Sequence, residues 1–233
     1  VFHENDRFIF FLACSNLNDL YVTVGKNRLH AKQGRASTNS LADLARKLYD
    51  EDSLITNHYN HILAGGKWNH FMDQTHIGYT YWQQPDYNSM PAVSLIQVPD
   101  AADMGITIEG STSSWPDEKG EAVLPEFNPY GASTRYIEIF NRGKTPFSYS
   151  CRTGKSWIQI SRARGKVETG QRLWLTIDWK QVPTGKHRVP VTVSGPKGSS
   201  VVVYADVSNP AVPKKEKIVR FVEAGQFVSI EAE

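Results

Sequence analysis

The hydrophobic period of the chain changes near Pro85, and this change constrains the fold more than any other feature of the sequence. Before Pro85, apolar residues recur at steps of three, four and seven, which is the spacing of a helix that buries one face. After it, short runs alternate apolar and polar residues, as strands with one buried face do. The sequence therefore predicts an α+β chain of several domains, with an antiparallel helical bundle before a β-sandwich.

Three amphipathic stripes make up the helical part. The first covers Asn5–Lys32, a capping box opens the second at Ser40–Asp43, and the third covers Leu54–Leu63 after an acidic break. Gly25 interrupts the first stripe at a cost of about 1 kcal/mol relative to alanine, and we interpret it as the mark of a close helix crossing. Short links between such stripes favour a bundle that is the end of a larger helical domain.

The later part of the chain carries short alternating runs separated by Gly- and Pro-containing turns, such as Asn141-Arg142-Gly143. Short strands at this spacing predict an immunoglobulin-like sandwich. The predicted strands are Gly105–Glu109, Tyr136–Phe140, Phe147–Cys151, Ser156–Ile160, Arg172–Asp178, Arg188–Val193 and Val201–Val207.

The stretch Gly65–Pro91, called the aromatic segment below, concentrates Trp, His, Tyr, Asn, Gln and Asp between these two parts. Aromatic side chains with polar tips bury large areas but need hydrogen-bond partners. We interpret the segment as a junction that joins the helices to the sandwich, with Trp68 and Trp82 in its core and Asp73 as a hydrogen-bond acceptor.

Three runs of the aromatic segment, Lys67-Trp68-Asn69-His70, Asp73 to Thr80 and Trp82-Gln83-Gln84-Pro85, belong to one pattern that extends upstream to about Phe8. This pattern resembles the end of the helical domain of glycoside hydrolase family 115, the xylan α-1,2-glucuronidases. It implies a structural role, at most at the edge of an active site, for Lys67, Trp68, Asn69, His70, Asp73, Gln74, His76, Gly78, Tyr79, Trp82, Gln83 and Pro85.

The resemblance implies three domains within this chain. Residues 1–98 are expected to form the helical bundle, and residues 99–210 a connector and the sandwich. Residues 211–233 are expected to form a linker and the first strand, Phe227–Glu233, of a truncated C-terminal module. Members of the family remove 4-O-methylglucuronic acid from xylan with a (β/α)₈ barrel that lies outside these residues.

We therefore expect a non-catalytic structural and dimerisation segment that is inactive alone, with no catalytic residue and no cofactor. Its expected partners are the catalytic barrel of the same parent chain, a second copy and xylan. The family also implies a secreted or periplasmic location. The net charge of +2 is spread along the chain, and no apolar run approaches the ~20 residues of a membrane span, so neither nucleic acid nor a membrane is an expected partner.

Two alternatives remain open from the residues themselves. His58, His61, His70 and His76 with Asp73 suggest a metal site, although capping of helix ends explains the same histidines, and we favour no metal. A carbohydrate-binding module would use exposed tryptophans of the sandwich as sugar-stacking platforms. The candidates for that role are Trp115, Trp157 and Trp179.

Overall fold

The computed structural model describes residues 8–79, 81–211, 218–224 and 227–232, the last two ranges as backbone alone. Its helical part is a pair of helices, α1 (Ile9–Lys32) and α2 (Thr38–Asn57). Leu20 and Val24 of α1 pack against Ala45 of α2 in one buried cluster. None of the described helices is long and apolar enough to cross a membrane.

The predicted second and third stripes are one helix, so the expected break at Asp50–Ser53 is wrong. Helix α2 continues through the acidic run to Asn57, and a π-helical turn (His58–Ile62) and a 3₁₀ turn (Leu63–Gly66) follow. An acidic run usually marks a solvated loop, but here Asp52 is 3% exposed because His76 binds its carboxylate. Within the described residues the predicted bundle is reduced to a helix pair and is not confirmed.

Within the described residues 81–211, the sandwich contains nine strands: β1 (Met104–Ile108), β2 (Ala122–Val123), β3 (Thr134–Asn141), β4 (Phe147–Thr153), β5 (Ile158–Ile160), β6 (Arg164–Val167), β7 (Gly170–Ile177), β8 (Gly185–Ser194) and β9 (Ser200–Asn209). They form two mostly antiparallel sheets. One has the order β1-β3-β7-β5 and the other β2-β9-β8-β4-β6, in which β2 runs parallel to β9. This order is that of an immunoglobulin-like sandwich, as predicted.

The core of the sandwich lies between the two sheets. Ile137 of β3 faces Leu173 of β7 in the register of the first sheet, and both are fully buried. Val191 and Val203 form the corresponding buried pair of the second sheet. Because side chains alternate along a strand, Arg172 and Trp174, on either side of Leu173 in β7, face outward.

Residues near the C-terminus form a hairpin rather than a lone strand. Strand β11 (Phe227–Ala232) pairs antiparallel with β10 (Ile218–Ala224). The sequence analysis predicted Phe227–Glu233 as a strand but missed β10, which precedes it. The predicted Pro- and Lys-rich linker, Ala211–Lys217, lies, apart from Ala211, outside the described residues, and the domain boundaries remain a prediction.

Among the described residues, the α1–α2 loop rather than the aromatic segment makes the hydrogen bonds and the ion pair between the helices and the sandwich. The Gln33 side chain donates to the carbonyl of Thr112 at 3.0 Å, and the backbone N–H of Ala36 donates to the carbonyl of Asn141 at 2.9 Å. The Arg35 side chain is 5% exposed and lies 3.2 Å from Glu138. These contacts place the junction at the α1–α2 loop, so the prediction that the aromatic segment forms the junction is wrong.

The chain returns from the aromatic segment to the sandwich along the helix pair. Asn27 of α1 accepts from the backbone N–H of Ser94 at 2.8 Å and donates to its carbonyl at 3.0 Å. Asn39 of α2 makes the same two bonds with Ile96, both at 3.0 Å. Two side-chain amides therefore replace the strand partner that this extended connector lacks.

Candidate functional site

The aromatic segment is attached to α2 through His76. Nε2 of His76 lies 2.9 and 3.0 Å from the two carboxylate oxygens of Asp52, and Nδ1 lies 2.8 Å from the carbonyl oxygen of Gln74. Burial alone would lower the pKa of His76, but the bonds to Gln74 and Asp52 outweigh burial and raise the pKa above its ordinary 6.5. Both ring nitrogens then donate, which the imidazolium form alone can do.

We expect the stability contributed by His76 to depend on pH. Because its folded-state pKa is raised, this contribution is fully present below the unfolded pKa and is lost as the pH rises through the folded pKa. NMR titration should therefore place the pKa of His76 above that of a free histidine, and Asp52→Asn should lower it. Asp73→Asn removes the carboxylate of another His–Asp pair and should leave the pKa of His76 unchanged. If Asp52→Asn and Asp73→Asn changed the pKa of His76 equally, Asp52 would not be the carboxylate that raises it.

A second set of bonds closes the aromatic segment into a loop. Oδ1 of Asn88 accepts from the backbone N–H groups of His76 and Ile77 at 2.7 and 2.9 Å. The hydroxyl of Tyr49 in α2 donates to the carbonyl of Asn88 at 2.9 Å. Ile77 itself is buried in the cluster between the helices. The residues between Ile77 and Asn88 are thus fixed at both ends.

Asp73 acts as a hydrogen-bond acceptor, as the sequence analysis favours. It accepts from the amide of Asn60 and contacts Nδ1 of His70, both at 2.6 Å. Asn60 in turn accepts from the backbone N–H of Met72 at 3.0 Å. Among the described residues, no group of three or more His, Cys, Asp and Glu side chains is arranged to hold a metal ion.

Four large aromatic side chains of the segment have more than half of their surface exposed. The exposed fraction is 90% for Trp82, 71% for Phe71 and Tyr87, and 61% for Tyr81. The prediction that Trp82 lies in the core is therefore wrong, since no described residue covers it. Trp68 is half-buried against the helices, where its ring meets Phe71 edge to face at 5.6 Å.

The other residues that carry the family resemblance fall into two groups. Some make hydrogen bonds within the aromatic segment or to α1, and others are exposed to solvent. The Tyr21 hydroxyl on α1 accepts from the N–H of Gly78, and Gln74 donates to Gln84. Gln83 accepts from the Tyr81 hydroxyl, and Thr75 donates to the carbonyl of Pro85. Lys67 and Asn69 are exposed, Tyr79 lines the groove described below, and Thr80 lies outside the described residues.

The candidate sugar-stacking tryptophans of the sandwich are not exposed platforms. Trp115 and Trp157 belong to the buried core, and Trp179 is half-buried against it. The Trp115 indole donates to the carbonyl of Gly120 at 2.6 Å. Trp115 and Trp157 therefore complete the core and are covered by it, and Trp179 is partly covered.

Trp174 on β7 is an exposed indole of the sandwich that the candidate set left out. It lies 5.5 Å from the ring of Tyr136, its register partner on β3. The Arg172 guanidinium lies 4.1 Å from the same Tyr136 ring. The alternation along β7 already places Trp174 on the outward face, so the signal for it was present in the sequence.

Comparisons with known proteins identify no family for this chain. No protein-family model matches it, and no curated protein does. Among solved structures, a Bacteroides ovatus GH5 xyloglucanase in complex with a XXXG heptasaccharide is 18% identical over 52% of this chain, with a TM-score of 0.31. The chain spans 22% of that enzyme's length.

Two further solved structures cover similar shares of the chain. The PapD-like domain 7 of human CEP192 is 13% identical and matches 56% of this chain and all of its own, with a TM-score of 0.33. The CsuC–CsuE chaperone–adhesin complex of Acinetobacter baumannii is 11% identical and matches 46% of this chain and 72% of its own, also with a TM-score of 0.33. TM-scores this low support no conclusion beyond the β-sandwich that the strand order already shows.

Proposed function

We propose that this chain is the non-catalytic structural segment of a xylan α-1,2-glucuronidase, and that its aromatic segment packs against the catalytic barrel of the parent protein. The observation that carries the proposal is the exposure of Tyr81, Trp82 and Tyr87 on one fixed loop, with Phe71 exposed shortly before it. Exposed aromatic clusters on soluble proteins usually mark contact surfaces. Trp and Tyr are also the residues that dominate binding energy at such contacts.

The anchoring of the loop supports this role. Its ends are held by Asn88 and by the His76–Asp52 pair, so its aromatic side chains project from a fixed backbone. A surface fixed before binding loses less conformational entropy on association. Asp52 and Asp73 are both bound by histidines, which fits a structural use of these carboxylates. Dimer formation and a secreted or periplasmic location remain part of the proposal from the family resemblance.

Binding of the separately produced catalytic barrel tests this proposal. The chain alone should release no 4-O-methylglucuronic acid from glucuronoxylan. It should bind the barrel of its parent protein, and Trp82→Ala should weaken that binding by roughly thirtyfold, as the loss of a central aromatic contact does. Tyr130→Ala removes an aromatic ring of the sandwich that is 76% exposed and should leave the affinity unchanged.

Two results would contradict the proposal. Release of uronic acid by the chain alone would show that it is catalytic. Retardation of the chain in a xylan gel that Trp174→Ala abolishes, together with barrel binding unaffected by Trp82→Ala, would instead favour the carbohydrate-binding module. That alternative now depends on Trp174 rather than on Trp115, Trp157 or Trp179.

A further inference from the structure

A groove of about 460 Å³ lies between α1 and the aromatic segment. Tyr21, Gly25 and Arg28 line it from α1, where steps of four and three residues place them on one face of the helix. Tyr79 and Met90 line it from the aromatic segment. This groove is separate from the exposed aromatic side chains of the proposed barrel contact.

Gly25 keeps this groove open. A Cβ atom at Gly25 would meet no atom within 4 Å, so the interpretation of Gly25 as a close helix crossing is wrong. Gly25 also has no positive φ, so alanine would fit its backbone and would stabilise the helix by about 1 kcal/mol. Neither packing nor backbone geometry requires glycine here. The space that a side chain would occupy is instead part of the groove.

Arg28 supplies a fixed positive charge to the groove. Its Nε and one Nη donate to the carbonyl oxygen of Ala92 at 3.2 and 3.1 Å, which fixes the guanidinium. Within the described residues the other Nη makes no hydrogen bond or ion pair, and Arg28 is the charged residue among those that line the groove. A guanidinium with free N–H groups is the side chain best suited to bind a carboxylate.

Two tyrosines supply apolar surface and a donor. Tyr21 and Tyr79 are each more than 40% exposed. Because the Tyr21 hydroxyl accepts from the N–H of Gly78 at 3.2 Å, its own hydrogen remains available to a ligand. A concave site with an apolar lining and a few polar groups is the usual form of a small-molecule site.

We propose that this groove binds a small carboxylate that carries a six-membered ring, with the carboxylate on Arg28 and the ring against Tyr79. A uronic acid and a cyclohexane carboxylic acid share this chemistry, and the experiment below tells them apart. The proposal does not depend on the barrel contact proposed above.

Titration of the full chain with glucuronate, cyclohexanecarboxylate and glucose, followed by NMR, tests the site. We expect the tighter-binding acid to have a Kd of about 1 mM, as a ligand of this size allows, and glucose to bind at least tenfold more weakly. Arg28→Gln should weaken binding of the acid at least tenfold, since a charge-assisted bond is lost. Arg46→Gln removes an exposed arginine of α2 and should change nothing.

Gly25→Leu is the sharper variant because it fills the groove without a backbone clash. It should abolish binding while the melting temperature stays the same or rises, which separates a filled site from a misfolded chain. Gly154→Ala, at another glycine with open space around it, should leave binding intact. Glucose binding as tightly as glucuronate, unchanged binding in Gly25→Leu, or no binding of either acid at about 20 mM would overturn the proposal.

Discussion

Gly143→Ala is expected to lower the free energy of unfolding by about 3 kcal/mol, one of the largest effects of any single methyl group in this chain. A Cβ atom at Gly143 would overlap the backbone carbonyl of Ala101 and lie 3.2 Å from the carbonyl oxygen of Pro99. Both are backbone atoms, so no side chain can turn away to make room. The connector before β1 must therefore move off the turn between β3 and β4.

That movement would also break hydrogen bonds. The backbone N–H of Lys144 donates to the carbonyl of Pro99 at 2.9 Å, and the N–H of Arg142 donates to the carbonyl of Asp103 at 2.8 Å. Each such bond contributes about 1 kcal/mol to stability, and the overpacking adds a further ~1–3 kcal/mol.

Urea unfolding followed by circular dichroism measures the effect of Gly143→Ala. Gly154→Ala is the matched control, because a Cβ at Gly154 meets no atom within 4 Å and the substitution should change stability by less than about 0.5 kcal/mol. Equal urea midpoints for the two variants would show that the connector does not press on Gly143.

The turn at Asn141-Arg142-Gly143 shows what the sequence could and could not predict. Its residue types predict a turn between two strands, and the structure has one between β3 and β4. The sequence contains no sign that a distant connector lies against this turn, because such a contact depends on how the whole chain folds. The same glycine is thus a turn residue by local preference and a contact residue by tertiary structure.

Strand prediction succeeded where one face of the strand is buried. All seven predicted runs overlap strands, and in strands such as β7 buried residues alternate with outward-facing ones, whereas β1 is buried at every position. Strand β2 was missed because two residues are too few to show alternation. Strand β6 (Arg164–Val167) was missed because Val167 is its one buried residue.

Helix prediction failed at Asp52 for a related reason. A single carboxylate can be buried within a helix if a distant partner binds it, and His76 lies 24 positions away. For the aromatic segment, the sequence predicted polar partners correctly at Asp73 but not the exposure of Trp82. Exposure depends on which other surface lies opposite, and short-range residue patterns do not contain that information.

Arg35→Met is expected to destabilise the chain by about 3 kcal/mol, because it removes the buried partner of a partly buried ion pair together with its hydrogen bond to Gln33. The Arg35 guanidinium lies 3.2 Å from the Glu138 carboxylate and 4.1 Å from the centre of the Phe140 ring, and its Nε donates to Gln33 at 2.6 Å. Glu138 has a second arginine, Arg172, but only at 4.0 Å. Methionine keeps most of the volume of the arginine side chain. The loss of stability is therefore caused by the missing charge rather than by a cavity.

His30 supplies an independent readout of the same substitution. Burial, with the Arg35 charge as the next cause, lowers the pKa of His30 from 6.5 to about 4. A histidine with a lowered folded-state pKa makes the protein less stable as the pH falls from about 6.5 towards 4, because the unfolded chain binds the proton first. In Arg35→Met the nearby positive charge is gone, so the pKa of His30 should rise and this acid sensitivity should weaken.

Three variants separate these effects. Arg46→Met removes an exposed arginine and should cost less than about 0.5 kcal/mol while leaving the pKa of His30 near 4. Glu138→Gln combined with Arg35→Met should restore part of the stability, since the charge left unpaired by the single substitution is then absent. If Arg35→Met unfolds at the same urea concentration as the parent chain and His30 titrates unchanged, the α1–α2 loop does not hold the helices on the sandwich through this pair. The contacts of Gln33 with Thr112 and of Ala36 with Asn141 would then have to do so alone.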